Sequence, residues 1–234
     1  MKYIDVEFDG MLGSDIGVFC TGYPSVPAAT EKVEQIEIPG KSGNLHVRKK
    51  CFEQTEIQAE FNYIGKENAW HQRWRKVKEW LSARNSELKF GDDCDFFYRI
   101  SHVNLNANER TTMRIGKFVA TFVTTDGLTY FESGKFAVDF SDIKFNPGLF
   151  SQPIYQISGE GMCTITVNGK EMTANISDNL TIDTELMIAY REDGTLTNTA
   201  VSGNYEDLYL QEGENTITVT DGFECKVIPR WRCL

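Results

Sequence analysis

The sequence has no run of about 18 apolar residues, so no segment reads as a helix that crosses a membrane. Its opening, Met1-Lys2-Tyr3-Ile4-Asp5-Val6-Glu7-Phe8-Asp9, interleaves acids where a secretory signal needs an unbroken apolar core. The expectation is a chain that stays in the cell that makes it, which leaves the sequons at Asn175 and Asn179 uninformative. C-x-x-C pairs are absent. The six cysteines (Cys20, Cys51, Cys94, Cys163, Cys225 and Cys233) stand singly in 234 residues, the pattern of buried reduced thiols rather than a disulfide framework. A pairing of Cys225 with Cys233 stays open. Histidine is scarce: His46, His71 and His102 match no zinc spacing, and each is expected at the surface or in an ordinary hydrogen bond. There is no G-x-x-x-x-G-K-[ST] loop, and Gly159-Glu160-Gly161 lacks the third glycine of a dinucleotide fingerprint. No serine or cysteine sits in a nucleophile elbow. The expectation is therefore no catalytic, cofactor or metal site, and no enzyme.

Basic charge is also in short supply. The formal net charge is -10, unevenly spread. Up to Asn146 there are 19 Lys and Arg against 21 Asp and Glu; from Pro147 onward there are 5 against 13. A protein that grips nucleic acid without regard to sequence needs a basic stripe to neutralise phosphates, so specific or tight nucleic-acid binding is not expected. The acids Asp92, Asp93 and Asp95 around Cys94 are the most tempting carboxylate cluster. Adjacent residues on a turn point different ways, and a solvated turn closing the strand Leu88-Lys89-Phe90 is the reading.

What the sequence does contain is alternation with period two. Ile4, Val6 and Phe8 alternate with Asp5, Glu7 and Asp9; Ile57, Ala59, Phe61 and Tyr63 alternate with Glu56, Gln58, Glu60 and Asn62. Such runs are half-buried antiparallel strands. The stretch Lys117 to Thr125 carries bulky or β-branched residues on both faces, as a strand covered on each side would. One segment, about 67–83, breaks the period: Trp70, Trp74, Val77 and Leu81 fall on one face of a helix, with Trp80 beside the stripe. Past Asn146-Pro147-Gly148 short strands recur at Ile154–Ile157, Cys163–Val167, Leu180–Ile182, Leu186–Tyr190, Ile217–Val219 and Cys225–Ile228. Asn168-Gly169 between two of them predicts a type I′ hairpin turn. The spacing predicts a mainly β chain of two domains, residues 1–146 with one helix and 147–234 as a compact β-sandwich.

The order of these pieces resembles the distal tail (Dit) family of siphophage-type tails and prophages, over essentially the whole chain. It rests on IDVEFDG, the hairpin IPGKSGNLHV, the strand IQAEFNY, the helix RWRKVKEWL with LKFGDDCDFFYRI after it, GKFVATFVT and YFESG. IDTELMIAY, LYLQEGENTITV and the closing IPRWRCL follow. The resemblance implies an N-terminal β-sandwich or barrel-like domain with one helix and a projecting hairpin arm, and a C-terminal galectin-like β-sandwich. It implies a homo-hexameric ring that joins the tail tube protein to the tail-tip protein and to receptor-binding or baseplate proteins, around a channel for DNA. The place implied is the virion tail tip, after assembly in the bacterial cytoplasm. The segment Glu31–Lys50, with Ile38, Pro39, Gly40, Gly43, Leu45 and Val47, is either an arm reaching a neighbour or an ordinary hairpin of its own subunit. The alternative function is a carbohydrate-binding module or adhesin for the host cell wall, with Tyr205 and Trp231 as glycan contacts.

Overall fold

The computed structural model describes residues 4–65, 69–110 and 112–234, without the side chains of Lys49 and Lys50. Glu67, where the expected helix begins, lies outside the described residues. The chain is mainly β and divides into two compact units, residues 1–129 with Leu234, and residues 130–233.

In the first unit the period-two strands join one antiparallel sheet. Its order runs Met11–Leu12, Val6–Phe8, Ser86–Phe90, Phe96–Leu105, Ile115–Phe131, Glu56–Ile64, Val18–Cys20. Glu56–Ile64 shows why alternation works: Ile57, Ala59, Phe61 and Tyr63 are buried and the residues between them face outward. Their partners on the long strand are set by register, Phe61 opposite Phe118 and Ile57 opposite Phe122. The sheet curls far enough that Ile4, just before the next-to-last strand Val6–Phe8, bridges to Cys20 on the end strand of the opposite side.

The helix spans Trp70–Trp80. Val77, Trp80 and Leu81 are buried against Phe8, Phe61, Phe118 and Phe122, while Trp70 and Trp74 pack half-buried beside them. Trp80, expected at the margin of the stripe, is the more deeply engaged tryptophan. Its indole N–H donates to the carbonyls of Phe8 and Met11, both at 3.2 Å, and its ring meets Phe8 and Phe61 edge-on. Burial of each such side chain stabilises by about 1.5–3 kcal/mol, and the paired indole N–H removes the polar penalty of putting a tryptophan there.

The second unit is built on a long antiparallel hairpin, Ile154–Val167 paired residue for residue with Lys170–Asp183. Asn168 and Gly169 form its turn with φ 52° and 81°, both positive as a type I′ turn requires. The two short strands expected at Ile154–Ile157 and Cys163–Val167 are one strand. Gly159 and Gly161 look like punctuation in the sequence, yet they stay paired with Asp178 and Ile176. Glu224–Ile228 pairs with the first half of that strand and Ile217–Val219 with its far end. Ile188–Tyr190 lies outside Lys170–Asp183, and a single core holds Tyr155, Ile165, Met172, Leu180 and Trp231.

The division between units falls at Thr129–Tyr130, ahead of the Asn146–Pro147 position read from the sequence. The physical reason is that the residues between them join the second core. Val138 pairs with Val227, Ile143 is buried in that core, and Phe145-Asn146 pair with Gly213-Glu214.

Candidate assembly surface

Among the described residues Glu31–Ile36 and Leu45–Phe52 pair only with each other, as a two-stranded sheet apart from the main one. Its root is tied where the Glu53 N–H donates to the Thr30 carbonyl, 2.9 Å. Beyond the root, every residue from Lys32 to Arg48 is exposed. Residues directly opposite in an antiparallel pair share a face. Ile36 is opposite Leu45 and Glu34 opposite Val47, whereas Val33 faces Arg48 and Gln35 faces His46. One face is thus largely aliphatic, with Ile36 42%, Leu45 44% and Val47 38% exposed; the other is mostly polar. A lone two-stranded hairpin is marginal in water, and this one shows solvent an aliphatic face that the chain's own core does not cover.

The tip is a defined turn. Lys41 N–H donates to the Ile38 carbonyl at 3.1 Å, with Pro39 and Gly40 between them and Gly40 at φ 81°. Proline second and a positive-φ glycine third make a type II turn, which a residue other than glycine or asparagine strains at the third place. Gly43, φ 86°, shapes the return into Leu45. The sequence-derived residues Ile38, Pro39, Gly40, Gly43, Leu45 and Val47 therefore lie together on this hairpin. Ile36 belongs to the same aliphatic face as Leu45 and Val47; its signal was the cross-strand pairing, which no local pattern reveals.

The proposed glycan contacts lie elsewhere, in the second unit. Trp231 is only 9% exposed and belongs to the core, where Phe131 N–H donates to its carbonyl. Tyr205 is half-buried, and its hydroxyl is buried with no hydrogen-bond partner among the described residues. Burial pushes that hydroxyl's pKa up. Neither ring stands open as a flat stacking platform. Asp92, Asp93 and Asp95 are exposed on the turn after Ser86–Phe90, which closes through Asp93 N–H to the Phe90 carbonyl. Among the described residues no group of three or more His, Cys, Asp or Glu side chains is placed to hold a metal ion.

The cysteines split by position. Cys20, Cys163 and Cys225 are buried, but Cys51 and Cys94 are exposed, on the hairpin and the acidic turn, which corrects the expectation of burial for all. Cys225 is a free, buried thiol and is not paired with Cys233, and burial pushes its pKa up to about 12.

No family model matches the chain, and no curated protein matches it. Solved structures do. The crystal structure of the SPP1 Dit (gp 19.1) protein, described as a paradigm of the hub adsorption apparatus in phages infecting Gram-positive bacteria, matches over 100% of both chains, with TM-score 0.71 and 13% identity. A chain of the phage P2 baseplate in its activated conformation with Ca matches over 99% of this chain and 98% of that one, with TM-score 0.53 and 11% identity. At such identities the likeness establishes a shared fold, in both units and in the same order.

Proposed function

We propose that this chain is a distal tail hub protein of a bacteriophage or prophage, a structural connector rather than an enzyme. The observation that carries this reading is the full-length match to the SPP1 hub protein, end to end in both chains. In this reading six copies form a ring through the first unit, with the Glu31–Phe52 hairpin reaching the neighbouring copy. The ring joins the tail tube protein to the tail-tip and receptor-binding or baseplate proteins at the virion tail tip, after assembly in the host cytoplasm. A central channel passes DNA. The chain up to Asn146, which takes in residues 1–129 of the first unit, carries 19 Lys and Arg against 21 Asp and Glu. This lack of basic excess supports such a lumen, because a sliding duplex must not be held by its phosphates.

Negative-stain images and mass photometry of the full chain, alone and with tube and tip proteins, test it. Rings of six copies are the expected result. A chain that stays monomeric in every one of these mixtures overturns the reading.

A further inference from the structure

The hairpin tip and a groove elsewhere on the first unit carry matching patterns. At the tip, Glu37 and Lys41 bracket Ile38-Pro39, all exposed, in a turn fixed by its own hydrogen bond and by Gly40. The groove, about 450 Å³, runs between the C-terminal half of the helix and the turn after Val6–Phe8. Met11 and Ile16, above the buried Phe8 and Trp80, give it an apolar floor, and the charged residues Asp9, Lys76 and Glu79 line it as well. The Trp80 indole N–H is satisfied within the chain, so the groove carries no open donor from that ring. Met11 is 45% exposed there. Among the described residues none of Glu37, Lys41, Lys76 and Glu79 makes an ion pair.

We propose that Ile38-Pro39 at the hairpin tip of one copy seats in this groove of the next copy, with Glu37 facing Lys76 and Lys41 facing Glu79. The proposal rests on the assembly reading above and names its contact. A second copy is the occupant because tip and groove lie on the same chain, and each sets exposed charges of both signs beside exposed apolar residues. Such a contact is heterologous, tip to groove, and repeats head to tail until it closes. The chain's own tip does not fill the groove, since Glu37 to Lys41 are exposed. Reach is sufficient: from Glu31 to Gly40 the hairpin extends roughly 30 Å at about 3.3 Å per residue. The apolar seat supplies attraction, and the rim charges select the register.

The test uses the full chain in mass photometry, with melting temperatures confirming that each variant folds. Glu37→Lys and Lys76→Glu are each expected to lower the assembled fraction about tenfold, since like charges then face each other. Combining them restores it. In a Cys51→Ser, Cys94→Ser background, Ile38→Cys with Met11→Cys gives intermolecular disulfide-linked species under mild oxidation. Rings unaffected by either single reversal, together with no cross-linking, overturn the tip-to-groove contact while leaving the assembly reading intact. Two weakened singles that fail to rescue each other overturn the Glu37–Lys76 pairing. A wild-type chain monomeric under all conditions removes the assembly reading and this contact with it.

Discussion

At Gly116 a β-carbon would lie 2.2 Å from Cζ of the Tyr63 ring. That ring has no room to swing aside: Tyr63 is fully buried, and its hydroxyl accepts from Asn108 Nδ2 at 2.6 Å. Gly116→Ala is therefore expected to destabilise the first unit by about 1–3 kcal/mol, the scale of overpacking, read as a lower midpoint in urea. A second residue-scale prediction concerns Asp183. It is buried and bonds Arg230 through two contacts of 2.9 Å, and it caps the N–H groups of Glu185 and Leu186. Burial acts to raise its pKa, but the Arg230 guanidinium and the two N–H donors outweigh burial and hold it below the ordinary value. A carboxylate lowered on folding contributes stability that is complete above its unfolded pKa, about 3.9, and fades as pH falls through the folded value. Asp183→Asn is expected to cost about 3 kcal/mol at neutral pH. Arg230 retains Glu185 at 3.2 Å, which keeps the loss toward the lower end. The gap between wild type and variant narrows below about pH 4 in chemical denaturation, and a gap independent of pH would count against this account.

Among the elements, the hairpin is the one whose removal separates folding from assembly. Replacing Lys32–Cys51 by a short Gly-Ser linker leaves the Thr30–Glu53 root in place and removes no residue of the first core. The melting temperature is expected to stay within a few degrees of wild type, since exposed segments contribute little, while rings disappear from negative-stain fields. Other elements show what local pattern can and cannot convey. Glu56–Ile64 was legible because its side chains report their faces by alternation alone. The helix was legible as a stripe, but Trp80 was not, because the carbonyls that receive its N–H lie on Phe8 and Met11, far away in the chain. The hairpin was legible as a turn through Pro39-Gly40, yet its aliphatic face depends on which residue stands opposite which. Leu186-Met187, read as the start of a strand, instead forms the exposed turn before Ile188–Tyr190, with Met187 at φ 54°. Tyr205 and Trp231 were chosen as aromatic residues near polar ones, and composition carries no information on burial.

For the whole molecule, the charge of -10 makes a direct prediction. Assembled protein is expected to show no retention of duplex DNA in gel-shift experiments near 0.15 M salt, where even non-specific binders hold DNA at micromolar to 0.1 mM affinity. Binding that weakens steeply with salt would mean a basic surface that the sequence does not show. The long hairpin of the second unit also bears on how the chain comes to its final form. Residues Ile154–Val167 and Lys170–Asp183 meet across a two-residue turn, so their pairing is local, and such zippering takes roughly 1–10 μs. Glu224–Ile228 must arrive from far along the chain to cover Ile154–Ser158 and to hold Val138-Asp139 on its other side. That step is the slow one, because distant partners meet only after a large loop closes. Until it happens, the hairpin displays a bare strand margin open to strangers. A nascent or truncated chain stopped before Glu224 is thus the form that chaperones would hold and that would clump when concentrated.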